Sequence, residues 1–323
     1  MLEYIRKPIQ KEYESYARVL SDTFSRNHGN VALNAISDYL KTSSGKSLRP
    51  TLVLLSSKLF GPVSQEALYT AAALELLHIS SLLHDDVVDE SDRRRSRPTV
   101  NELWGNKSAI LVGDFYLTES LSLCTQTRNM EIINRMGKIG AELARGELVQ
   151  LDRSKDFSAD EKTYYDIIEH KTASLFSFAS SAGAVLSSSS PERIDALTRY
   201  GRCLGMIFQI KDDIFDYTSS PEVGKPLGSD LLEGKLTLPL IYALNQASEE
   251  EKKSLPALSF QTITPTQVDI LYDFAIRKGG INYAENVMDR FREEGVSCLS
   301  CFPDSEVKEA LTACLDFAFS RTR

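Results

Sequence analysis

No uncharged apolar run in this chain of 323 residues reaches the roughly 18 residues that a membrane-spanning helix needs. The nearest approach, Ser174 to Leu186, is short and dotted with Ser and Gly. The first residues, Met1-Leu2-Glu3-Tyr4-Ile5-Arg6-Lys7, lack the apolar core of a signal peptide. Cysteine is scarce and odd in number, at five, and Cys298-x-x-Cys301 has no second pair. That argues against a zinc site and for free thiols in a reducing compartment, so a cytoplasmic location is expected. Positive charge is in deficit. A net charge of -8 counts against nucleic acid as a partner, because such affinity comes mainly from Lys and Arg on phosphates. Strand-like alternation is also scarce, and no low-complexity linker or shift in composition divides the chain.

What remains is helix. The 42% hydrophobic and 25% charged content is ordinary for a water-soluble chain. Helix-start signals recur: Ser158 with Glu161 reads as a capping box, and Ser190-Pro191 and Thr264-Pro265 place Pro at a first helical position. Breaks fall between these segments, among them Ser43–Pro50, Ser91–Thr99, Ser187–Ser190 and Ser219–Gly234. The pattern predicts one all-α domain over residues 1–323, a single large helical bundle of ten or more helices.

One stretch organises the rest. Ala71 to Ser81 has no Gly or Pro and is rich in Ala and Leu, so it predicts a central helix, apolar nearly all round. It runs into Leu82-Leu83-His84-Asp85-Asp86-Val87-Val88-Asp89. Asp85 and Asp89 fall one turn apart on one face, with Asp86 offset by roughly 100°. Carboxylates so close repel, so a cation belongs between them. Oxygen-only ligands suit a hard divalent ion such as Mg²⁺, which also accepts phosphate oxygens. The pattern returns in Gln209-Ile210-Lys211-Asp212-Asp213-Ile214-Phe215-Asp216. A single such pattern describes many solvated helix faces; two, each closing an apolar segment, point to a site. Antiparallel packing of the two helices would set six carboxylates on opposite walls of one cavity, a polynuclear Mg²⁺ site that holds a diphosphate.

The basic complement lies in three breaks. Gly45-Lys46-Ser47-Leu48-Arg49-Pro50 echoes the tail of a P-loop, but position 40 is Leu and no strand precedes it. Lys46 as a point charge and Arg49 as a fork suit a phosphate grip, although a solvated basic loop would have the same composition. Arg93-Arg94-Arg95-Ser96-Arg97 either pairs with the neighbouring acids at little energetic gain or, beside a diphosphate site, binds substrate. In Gly224–Lys235, glycines permit close backbone approach, and Lys225 and Lys235 can close over phosphates as a lid. His78 lies two turns before Asp85. A lone His on an apolar helix is usually a hydrogen-bonded core residue, and here it is also placed to reach a second substrate's phosphate. His28, His84 and His170 read as ordinary polar positions.

Together these residues resemble the trans-isoprenyl diphosphate synthase family, with long-chain members such as octaprenyl diphosphate synthases nearest in pattern. The matches are Asp85-Asp86-x-x-Asp89 with Arg94-Arg95, Phe208-Gln209-x-x-Asp212-Asp213-x-x-Asp216, Gly45-Lys46-x-x-Arg49-Pro50, Gly113-Asp114, Lys171-Thr172, and Gly224–Pro239. They keep the family's order over residues 40 to 285. Ser96 stands where the family usually has Gly, which bears on local backbone shape. The resemblance implies an all-α isoprenoid-synthase bundle around a central cavity, acting as a homodimer. It implies that Asp85, Asp89, Asp212 and Asp216, with Asp86 and Asp213 beside them, serve three Mg²⁺. Arg94, Lys171, Gln209, Lys225 and Lys235, with Thr172, would then contact an allylic diphosphate such as farnesyl diphosphate. Lys46, Arg49, His78 and Arg95 would hold isopentenyl diphosphate. Rival readings are a short-chain farnesyl or geranylgeranyl diphosphate synthase, a terpene cyclase, and a non-catalytic subunit of a heteromeric synthase.

Product length depends on the path of the growing tail. Along the first helix, Ser81, His78 or Leu77, and Leu74 point the same way as Asp85, and one turn rises 5.4 Å, roughly one isoprene unit. Ser80 and Ser81 are small, where farnesyl synthases of the family tend to carry aromatics, so the first gate is open. Ile132, Met136 or Ile139, on a helix spanning Met130–Gln150, would form a floor. The expected product has about six to ten units (C30–C50), a quinone side-chain precursor, at one unit per turn. So apolar a product implies peripheral membrane contact at release.

Overall fold

The computed structural model describes residues 1–25, 29–42, 45–94, 97–153, 160–217, 228–256 and 263–321. The first half of the chain folds into helices α1 (Leu2–Arg6), α2 (Gln10–Ser25), α3 (Val31–Lys41), α4 (Leu48–Lys58), α5 (Gln65–Val88), α6 (Val100–Trp104), α7 (Asn106–Gln126) and α8 (Met130–Arg153). The second half adds α9 (Glu161–Ile168), α10 (Ser174–Leu186), α11 (Pro191–Phe215), α12 (Ser229–Leu232), α13 (Leu238–Asn245) and α14 (Glu249–Ser254). Helices α15 (Pro265–Arg277), α16 (Gly280–Cys298) and α17 (Glu306–Ser320) complete it. The all-α expectation holds.

Helix α5 is buried on every side from Ala71 to Leu77, as its uninterrupted Ala and Leu content requires. It packs along α7 on one flank and α4 on another; α4 packs on α10, α10 on α11, and α11 on α16. Leu52, Leu54, Leu55, Leu74 and Leu76 are wholly buried at these contacts, each contributing about 1.5–3 kcal/mol relative to exposure. The α4–α10 crossing is close because residue 183 is Gly: a Cβ there would lie 2.1 Å from the Ser57 amide nitrogen. A smaller apolar cluster of Tyr217, Leu231, Leu240, Leu271 and Tyr272 joins α12, α13 and α15 to the end of α11.

Three expectations change. Helices α5 and α11 are not an extensively packed antiparallel pair; both lie against α10, and the cavity rather than a shared interface relates their acidic ends. The cap of α9 is Asp160, whose carboxylate accepts from the amides of Lys162 and Thr163; Ser158 lies outside the described residues. The arginine-rich break contains a two-stranded antiparallel ribbon, Arg93–Arg94 with Arg97–Pro98, closed by Thr99 N–H on Asp92 O at 2.9 Å. Alternation cannot announce strands of two residues. Capping boxes do form at Ser248–Glu251 and Thr264–Gln267. Among the described residues no helix is long and apolar enough to cross a membrane.

Candidate active site

A cavity of about 2340 Å³ opens between α2, α4, α5, α7, α8, α10 and α11. Both acidic motifs line it: Asp85, Asp86 and Asp89 from α5 and its C-cap, Asp212, Asp213 and Asp216 from α11 and its C-cap. Lys46, Arg49, His78, Arg94, Lys171, Thr172, Gln209 and Lys235 line it too, as do Leu77, Ser80, Ser81 and Met136. Arg95 and Lys225 lie outside the described residues.

Helix α5 continues through the first motif, and Asp89 N–H donates to Asp85 O at 2.8 Å, so the two carboxylates keep the one-turn spacing. Buried Asp86 accepts from Arg94 Nε and Nη2, both 2.8 Å from Oδ1. Asp89 Oδ2 lies 3.2 Å from Lys235 Nζ, which also meets Glu233 at 2.6 Å. Burial alone would lower the Lys235 pKa, but Glu233 and Asp89 outweigh it and hold the ammonium above its ordinary value. No hydrogen bond or ion pair reaches the Asp85 carboxylate among the described residues. Burial pushes its pKa up to about 6, against the pull of the Lys171 charge.

The second motif is held differently. Asp212 Oδ1 lies 2.9 Å from Arg321 Nη2, and the Arg321 guanidinium stacks 3.8 Å from the Phe208 ring. Asp213 is buried and accepts from Gln209 Nε2 at 2.9 Å and Tyr164 OH at 2.6 Å. Burial, with Asp230 close by, pushes its carboxyl well above the usual carboxylate range, against those two hydrogen bonds. Gln209 in turn accepts from Thr172 Oγ1 at 2.7 Å. Asp216, expected as a metal ligand, is hydrogen-bonded through both carboxylate oxygens. Its Oδ1 accepts from the Ser229 amide and hydroxyl, and its Oδ2 accepts from the Asp230 amide and Tyr272 OH. A carboxylate has about four lone-pair sites; three of these contacts anchor the start of α12 and the fourth ties Asp216 to Tyr272 on α15.

Among the described residues no three acidic, His or Cys side chains converge within ligating distance of one point. The six carboxylates share one cavity, yet most are drawn to separate partners, since a carboxylate settles on the nearest cation or donor. The donor chemistry still fits a hard divalent ion: the accessible groups are carboxylate oxygens, and among the described residues no hydrogen bond or ion pair occupies Asp85.

Lys171 sits in a single π-helical turn, Glu169–Ala173, between α9 and α10, a widening that is frequent at functional sites. It reaches Glu147 at 2.5 Å and Gln150 at 3.4 Å. Across the cavity Arg49 Nη1 is 2.9 Å from His78 Nε2 and its guanidinium lies 4.7 Å above Phe176. Lys46 Nζ lies 5.1 Å from the Phe317 ring centroid.

Beyond the acids the cavity runs past Ser80, Ser81, Met136, Gly137, Gly140 and Ala144. Of the proposed floor residues only Met136 reaches it; Ile132 and Ile139 are buried in the core and do not line it, and neither does Leu74, which was expected along the tail's path. Gly113 has a local reason: a Cβ there would lie 2.3 Å from His84 Nε2, and that ring sits 3.4 Å from Asp114. Arg321, Tyr164, Glu147 and Glu75 also line the cavity and were not singled out by sequence. Only Glu75 carried a signal, as the one charged residue in the Ala71–Ser81 run.

A family model described as polyprenyl synthetase matches residues 30–272. The chain is 34% identical over 290 residues to the short chain isoprenyl diphosphate synthase of Methanothermobacter thermautotrophicus, covering 88% of this chain and 89% of that protein. It is 34% identical to the all-trans-nonaprenyl-diphosphate synthase (geranyl-diphosphate specific) of Rhodobacter capsulatus, covering 98% of this chain and 97% of that one. The crystal structure of a polyprenyl synthase from Caulobacter crescentus, complexed with calcium and isoprenyl diphosphate, superposes with a TM-score of 0.93. It is 31% identical and covers 100% of this chain and 98% of that one.

Proposed function

Because the chain belongs to the polyprenyl synthetase family and is therefore a trans-prenyltransferase, we propose that it condenses an allylic diphosphate with successive isopentenyl diphosphates to a long-chain all-trans product. The observation that carries this reading is the single cavity lined by both acidic motifs and by two separate sets of cationic side chains.

Asp85, Asp89 and Asp212 are the residues suited to hold Mg²⁺, three ions by family resemblance, and the calcium in the Caulobacter complex supports a divalent ion here. Bound there, the metal would neutralise charge on the diphosphate and polarise its bond to the prenyl carbon. Asp216 does not join that set in the described arrangement; it orders α12 and thereby Lys235. Arg94, Lys171 and Lys235 stand where negative charge grows on the departing diphosphate, and each is fixed by an acid, so little reorganisation is needed. Lys46, Arg49 and His78 hold isopentenyl diphosphate alongside, so that its double bond attacks the allylic carbon as the C–O bond breaks. Thr172 and Gln209 keep Asp213 in place. The apolar walls exclude water from the cation, and proton loss to the released pyrophosphate completes the new double bond.

Length is set by what the tail meets. Small Ser80 and Ser81 line the first turns, and Gly137, Gly140 and Ala144 follow on α8, which supports a product in the C30–C50 range begun from farnesyl diphosphate. The likeness to a short chain synthase favours a geranylgeranyl-length product as the second reading. Ile110 and Leu111 on α7 and Met130 on α8 are exposed apolar side chains of the kind a second copy covers, and with the family resemblance we read the protein as a homodimer of single-domain chains. Five cysteines without disulfides fit the cytoplasm, with product release at a membrane surface. Chromatography of products made from labelled isopentenyl diphosphate, farnesyl diphosphate and Mg²⁺ tests the reading. Products of C30 or longer are expected; accumulation at C20 would replace it with the second reading.

A further inference from the structure

The segment that carries Lys46 and Arg49 is tied down by five hydrogen bonds. Arg6 Nη2 donates to the Lys46 carbonyl and Arg6 Nε to Thr51 Oγ1. Thr51 Oγ1 donates to the Ser47 carbonyl at 2.8 Å. Arg49 meets His78 at 2.9 Å, and Ser47 Oγ donates to Glu75 Oε1 at 3.2 Å. Ser47 needs such a tie. Its φ is +41°, a left-handed conformation that residues with a side chain seldom adopt unless their surroundings impose it. Glu75 is the other unusual member. It is buried, at 6% exposure, within the apolar part of α5, where a carboxylate is costly unless partnered. Three residues on, His78 occupies the same face of the helix, so α5 offers two successive contacts, one to Ser47 and one to Arg49. Buried Tyr16 flanks the same patch, its hydroxyl pushed well above its ordinary pKa by burial and then by the Glu75 charge.

We propose that Glu75 is a positioning residue for isopentenyl diphosphate: through Ser47 it fixes the backbone between Lys46 and Arg49, setting both cations before the substrate arrives. Glu75 touches no reacting atom in this account. Its contribution is preorganisation, which lowers the cost of binding one substrate and leaves the other untouched. The proposal rests on the reading that Lys46 and Arg49 grip isopentenyl diphosphate.

Steady-state kinetics with both substrates varied separately test it, using Glu75→Leu, Glu75→Gln, Ser47→Ala, the Glu75→Leu/Ser47→Ala double variant, and Arg49→Met as reference. Glu75→Leu and Ser47→Ala should each raise KM for isopentenyl diphosphate at least fivefold, with KM for the allylic primer within twofold of the parent. The double variant should be no worse than the poorer single, and Glu75→Gln, which keeps the acceptor oxygen, should return KM to within threefold. If Glu75→Leu fails to fold, Ser47→Ala alone decides. Should Ser47→Ala leave KM for isopentenyl diphosphate unchanged while Arg49→Met raises it, Glu75 has no positioning role and the phosphate grip stands. Equal rises for both substrates, together with a lower melting temperature, would assign Glu75 a purely structural part and overturn the proposal. If Arg49→Met changes nothing, the grip itself is misassigned and the proposal goes with it.

Discussion

Lys235 Nζ lies 3.2 Å from Asp89 Oδ2, a contact that spans 146 residues of chain. It ties the segment after the second acidic motif to the end of the first, so the two motifs are coupled through a cation before any ligand binds. Lys235 is four-fifths shielded from solvent and also meets Glu233, which places its charge in a medium where it acts more strongly than at a surface.

Replacing Lys235 with Met removes that charge and leaves Asp89 and Glu233 facing each other. The expected loss in kcat/KM for the allylic substrate is at least tenfold, about 1.4 kcal/mol of transition-state stabilisation. Initial-rate kinetics check it, and a value within twofold of the parent would remove Lys235 from the substrate site.

Asp216 is expected to act through structure. Asp216→Asn exchanges acceptor oxygen for an amide N–H that opposes donors at Ser229, Asp230 or Tyr272. Amide exchange across Ser229–Leu232 should quicken about tenfold, in keeping with local opening of a short helix that has lost its anchor. Unchanged protection there would contradict the anchoring role.

The Asp-x-x-x-Asp spacing was legible because helix periodicity alone puts Asp85 and Asp89 on one face. The use of each carboxylate was not. Asp216 finds Tyr272 at a separation of 56 residues, Asp213 finds Tyr164 at 49, and Arg321 reaches the Phe208 carbonyl at 113. None of these partners carries a local signal, since a Tyr or a terminal Arg is ordinary wherever it stands. Glu75 was visible as a lone charge in an apolar run, but its meaning depended on Ser47 arriving opposite it. Likewise Met136, Ile132 and Ile139 were equivalent on paper, and only packing shows that Met136 alone faces the cavity.

Gly113 is expected to be intolerant of a side chain. Gly113→Ala drives a Cβ into the His84 ring and should cost about 1–3 kcal/mol of stability, the usual range for overpacking. In a His84→Ala background the same substitution should cost at least about 1 kcal/mol less. Thermal or urea unfolding of the four proteins reads the coupling, and strict additivity would rule out the clash.

Tail length should respond to bulk at the first gate. Ser81 lines the cavity and its hydroxyl donates to the His78 carbonyl at 2.9 Å, so Phe at this position projects an aromatic ring near the channel entrance. Ser81→Phe should shorten the main product by about two or more isoprene units, at roughly one unit per 5.4 Å turn. An unaltered product ladder would mean that the tail takes another path.

The most direct test of the account is transfer of label from isopentenyl diphosphate to an allylic primer by the parent protein, Asp85→Asn and Asp212→Asn, each with Mg²⁺ and with excess chelator. Metal-dependent transfer by the parent is predicted, abolished by chelator and lowered at least about a hundredfold in both variants, as loss of charge stabilisation requires. Transfer that persists in chelator, or that survives both substitutions at the parent rate, would contradict a site built on the two facing acid motifs.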